Sequence, residues 1–64
     1  MNVDITHAIL AIVAGHDAPI EPGAAPLFRV RDEKERERIA KYIGAITLGT
    51  VHDLRDGTYI VVKH

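Results

Sequence analysis

All three prolines of the chain, Pro19, Pro22 and Pro26, fall within one stretch, "HDAPIEPGAAP", residues 16–26. Each lacks a backbone donor and pushes the residue before it away from helical geometry. No helix or central strand can cross such a stretch, so regular structure must form on either side of it. A crossover of this length sits near the upper end of ordinary loops.

On the near side, residues 1–15, "MNVDITHAILAIVAG", are read as a helix, with Asp4 or Thr6 as cap and Gly15 as a left-handed stop. Ile5, Ala8, Ile9 and Ile12 recur at helical spacing, while Leu10 and Val13 make the segment apolar on more than one side. A helix apolar all round is a buried one. The alternative is a buried strand, because "ILAIV" is rich in β-formers.

On the far side, "LFRV", Leu27–Val30, reads as a short strand. Asp32 followed by Glu35 has the spacing of a capping box. Acids in that first turn suit the positive end of the helix dipole. Ile39, Ile43 and Ile46 form an apolar stripe with Ala40 and Tyr42 beside it, which predicts a helix over 32–44, weakened at its end by Gly44. The period then changes. "AITLGTVHDL" and "TYIVVKH" are β-rich runs separated by "RDG", a local hairpin signal. Tyr59–Val62 is apolar on both faces, as in a strand covered twice or held at an interface. The expected fold is a small two-layer α+β sandwich, in the order helix, strand, helix, strand, strand, with a C-terminal β-hairpin. It forms a single domain over residues 1–64.

Size now bears on function. A chain this short buries only about 60% of the surface its unfolded form exposes. With no cysteine there is no disulfide, yet 47% of the 64 residues are apolar. That excess predicts self-association, as a homodimer or higher, with Ile5, Ile9, Ile12 and Val13 of the first element and Tyr59 and Val61 of the last strand at the interface. Another protein is the further partner to expect. The apolar run Ala8–Ala14 is far short of the roughly 20 residues a membrane span needs, and no basic segment precedes it. A cytoplasmic location is therefore expected, without signal peptide or membrane contact.

The net charge is −1, and all eight basic residues lie from Arg29 onward. A chain built mainly to bind phosphate backbones would carry more uncompensated cations. Glu33–Arg36, Glu35–Arg38 and Glu37–Lys41 stand three or four apart with opposite signs, the pattern of a solvated helix face. The alternative reading is a winged-helix-like nucleic-acid-binding regulatory domain, in which helix 32–44 reads the duplex and the hairpin is the wing. Arg29, Arg31, Arg55 and Lys63 would then meet phosphates.

Catalysis finds little support. Serine and cysteine are both absent, which removes the usual nucleophiles. His16-Asp17 and His52-Asp53 are the pairs that resemble metal ligands or an acid–base site, and they define a second alternative, a small metal-dependent enzyme or metal-binding protein. Adjacent strand residues point to opposite faces, so His52 and Asp53 are poorly placed to share one ion. The leading reading is a small intracellular interaction module acting as a homo-oligomer, with no catalytic activity and no cofactor.

Overall fold

The computed structural model describes residues 9–21, 23 and 25–63. Four strands, β1 (Ile9–Ala14), β2 (Leu27–Arg29), β3 (Thr50–Asp53) and β4 (Tyr59–Val62), form one sheet in the order β2-β1-β4-β3, and one helix, α1 (Glu33–Thr47), joins β2 to β3. β1 runs parallel to β2 and antiparallel to β4, and β3 with β4 forms the expected hairpin. The small two-layer α+β arrangement is thus present, with α1 on one face of a mixed sheet.

The helix expected over residues 1–15 is corrected. Ile9–Ala14 is a strand, and residues 1–8, Ile5 among them, lie outside the described residues. The physical reason is position within the sheet. β1 sits between β2 and β4, so both of its edges are paired within the sheet. An all-round apolar run suits such an inner strand as well as it suits a buried helix, and Ile9, Ile12 and Val13 favour the strand. The register shifts between Ile9 and Ala11, which places an irregularity at Leu10. The proline-rich stretch is the crossover between parallel neighbours. The Ile12 N–H donates to Pro26 O and the Val30 N–H to Ala14 O, both at 2.9 Å, locking β2 beside β1.

α1 starts where its cap predicts. The Asp32 carboxylate accepts from the Glu35 N–H at 3.2 Å, and Glu33 and Glu35 occupy the first turn. It ends later than predicted, running through Gly44 to Thr47. A Cβ on Gly44 would lie 3.0 Å from Val51 Cγ2, so the bare glycine lets the helix approach β3 closely. Buried Val13, Ala40 and Tyr59 form the centre of the core, with Val30, Ile39, Ile43 and Val51 packed around it.

By strand alternation, the neighbours of these core residues point away from the helix. Leu27, Ile12, Ile60 and His52 are register partners in one line across all four strands, and each is half-buried. Among the described residues no helix or strand lies on that face.

Candidate interaction surface

The stripe of isoleucines predicted to face the core divides in the structure. Ile39 and Ile43 pack inward, but Ile46 is 74% exposed and Tyr42 is 64% exposed. Ile46 lies six residues beyond Ala40, which at ~100° per residue puts it about 120° around the helix from the most buried position. Leu48 follows at the helix end and is 88% exposed. Its backbone is left-handed, with φ 59° and ψ 32°, and the N–H groups of Leu48 and Gly49 both donate to Gly44 O. A left-handed residue at a helix end is ordinarily glycine or asparagine. Here a large apolar side chain takes the strained position and projects into water.

These side chains form one patch. Tyr42 and Ile46 stand four apart on α1, with exposed Ala45 beside them and Leu48 just beyond. Along the edge, Arg38, Lys41, Tyr42 and Ala45 line a shallow groove of about 370 Å³. Its rim is basic, although each cation is tied to its own helix. Arg38 donates through Nε and Nη2 to the two Glu35 carboxylate oxygens at 3.0 and 2.7 Å. Lys41 lies 3.9 Å from Glu37. The Arg38 hydrogen bond and charge hold the Glu35 carboxyl below its ordinary range, and Glu35 in turn raises Arg38.

The interface residues expected from sequence fall into two groups. Val13, Tyr59 and Val61 are buried within the chain's own core, whereas Ile9 and Ile12 are half-buried. Burial raises the Tyr59 hydroxyl above its ordinary range, and the charges of Asp53, Glu37 and Glu33 push in the same direction against Arg36.

The four basic residues of the nucleic-acid alternative are scattered. Arg29 is spent on the crossover, donating to the carbonyls of His16, Ala18 and Ile20. Arg31 points to His16, Nη2 to Nε2 at 3.4 Å. Arg55 sits at the exposed hairpin tip with φ 67°, and Lys63 is exposed after β4. Among the described residues α1 has no second helix with which to form a helix-turn-helix pair. His16 and Asp17 lie in the crossover while His52 and Asp53 lie on β3, the sheet edge farthest from β2. Among the described residues no three His, Asp or Glu side chains gather closely enough to hold a metal ion.

One ion pair expected from sequence is corrected. Arg36, predicted to pair with Glu33 on the wet face, turns inward, and its Nη1 donates to the carbonyls of Val30 and Arg31 at 2.8 Å each. The signal was present, because Arg36 stands one turn before Ala40 and so lies on the buried stripe. Leu48 carried a weaker signal, a residue followed by Gly49 where a helix must turn into a strand.

Comparison with known proteins adds a family to this geometry. The model of the family described as "Capping complex subunit for YIEGIA" matches residues 6–64. The chain is also similar to the uncharacterized protein YpzH of Bacillus subtilis (strain 168), 36% identical over 64 residues, covering all of this chain and 98% of that protein. No solved structure matches it. With the family model spanning nearly its whole length and a relative of matching size, the chain belongs to the family of capping complex subunits for YIEGIA.

Proposed function

We propose that this chain is a non-catalytic interaction subunit that caps a protein of the kind named in its family's description, YIEGIA, and that it docks through the apolar end of α1. The observation that carries this reading is the exposed cluster of Tyr42, Ile46 and Leu48 on so small a chain. Exposed apolar side chains that adjoin one another, rimmed by polar ones, mark sites of protein association. Tyrosine is favoured in such contacts because it is large and rigid with a polar tip. Arg38 and Lys41, paired with Glu35 and Glu37, give the patch a charged but balanced rim.

The test is binding of the purified chain to a purified YIEGIA-family protein. Wild type should bind, and Ile46→Glu should weaken binding at least about tenfold while the melting temperature stays near wild type. If wild type does not bind, the partner is wrong. If Ile46→Glu binds as wild type does, the surface is wrong.

A second mode of association is supported by the row Leu27, Ile12 and Ile60 on the sheet face away from α1. We propose that two copies pair there, which would give a staple-free chain the additional burial it lacks. A cytoplasmic location accords with both modes.

A further inference from the structure

Four strands spaced ~4.8 Å apart make a sheet about 19 Å wide. One helix with its side chains covers about 10–12 Å of such a face. α1 lies over β4, β1 and β3. Among the described residues it is the only helix, so the helix-side face of β2 is left largely bare. Phe28 shows the consequence. It is the register partner of Val13, which belongs to the core beneath α1. Register partners on adjacent strands point to the same face, so Phe28 projects to the helix side. Even so, it is 42% exposed.

The flank of α1 beside this gap is apolar as well. Ile39 and Ile46 are seven apart, which at ~100° per residue sets them within about 20° of each other around the helix. Gly44 lies about 140–160° away from both. It packs toward β3, where its Cβ would come 3.0 Å from Val51 Cγ2. In the order β2-β1-β4-β3, the side of α1 turned away from β3 is the side turned toward β2. On that flank Ile39 is half-buried and Ile46 exposed.

Two apolar walls therefore meet, Phe28 below and Ile39 with Ile46 beside it. The space they bound matches the roughly 8–10 Å that separates the axes of packed helices. One turn before Ile39, Glu35 is paired with Arg38, so shape and apolar area select the occupant more than charge does. A helix laid there touches both walls at once. A strand added to the free edge of β2 would continue the sheet and leave Ile46 bare.

We infer that the partner proposed above lays an amphipathic helix in this slot, beside α1 and over β2, with Phe28 and Ile46 as its principal contacts. The slot rests on that docking and specifies what the partner presents to it.

The chain has no cysteine, so Phe28→Cys and Ile46→Cys each offer a unique thiol for a photo-crosslinking label. Each labelled chain is mixed with a purified YIEGIA-family protein, and the coupled residues are mapped by mass spectrometry. Both labels should couple to one partner segment, at residues three, four or seven apart, the spacing of a helix face. Unlabelled Phe28→Ala, still folded by circular dichroism, should bind about tenfold more weakly than wild type. If wild type does not bind, the choice of partner falls and the slot with it. If Ile46→Glu weakens binding and Phe28→Ala does not, docking through α1 stands and the slot falls. Partner crosslinks two residues apart, as along a strand, or coupling of the label at position 28 to this chain's own residues 1–8, would also overturn the slot.

Discussion

Leu48 combines two unfavourable features, a left-handed backbone and a side chain in water. Relieving the first should stabilise the fold. Leu48→Gly is expected to gain about 1 kcal/mol, because a non-glycine residue is strained at positive φ, and to lose affinity for the proposed partner. Thermal melts beside binding assays check both halves, and a variant that melts lower than wild type would mean the strain is absent. Gly57 is the opposite case. Its φ of 88° is one that side chains rarely adopt, and a Cβ there would lie 3.1 Å from Arg36 Nη2, which would have to shift. Gly57→Val should cost at least about 1 kcal/mol of stability. Tyr59 carries a pH consequence. Its hydroxyl is raised by burial and by neighbouring carboxylates. The neutral form is therefore the one the fold favours. The associated stability is fully present below the ordinary tyrosine range and is lost as pH rises through the raised value in the folded chain. Alkaline melts should show this loss in wild type and a smaller one in Tyr59→Phe.

At the scale of elements, α1 depends on its ends more than on its surface charges. Asp32 is the side-chain cap of its first turn. Asp32→Ala should cost about 1 kcal/mol, read as a lower melting temperature, since such caps satisfy an otherwise unpaired N–H. The exposed pairs Glu35–Arg38 and Glu37–Lys41 contribute far less each. The hairpin is held by register, Val51 opposite Val61 and Asp53 opposite Tyr59, and by its tip, where the Leu54 N–H donates to Thr58 O at 3.0 Å. Asp53 Oδ1 and Asp56 Oδ1 accept the N–H groups of Arg55 and Thr58. These short polar side chains bond the backbone of the turn locally.

Among the described residues, the apolar end of α1 and the sheet face away from α1 are separate surfaces. The self-association we propose belongs to the second. Sedimentation across a concentration series should show a dimer for wild type and a smaller species for Ile60→Glu, whose side chain points away from the core. A wild-type monomer at high micromolar concentration would remove this mode and leave docking through α1 untouched.

Several features follow from local chemistry alone and were legible in the sequence. They are the proline-bounded crossover, the Asp32 cap and the hairpin around Asp56-Gly57. In each, the residues that specify the feature are within a few positions of those that form it. The identity of the first element was not local. "ILAIVA" is compatible with a buried helix or an inner strand, and only β2 and β4 on either side of it decide for the strand. The candidate surfaces divide in the same way. Ile46 has helical spacing with Ile39 and Ile43, but the sheet they pack on does not cover it. Arg36 has the spacing of a surface ion pair, but the carbonyls at the end of β2 draw it inward. Sequence periodicity specifies which side chains share a helix face. Which part of that face is covered depends on where the sheet beneath it ends, and that is set by contacts between residues far apart in the chain.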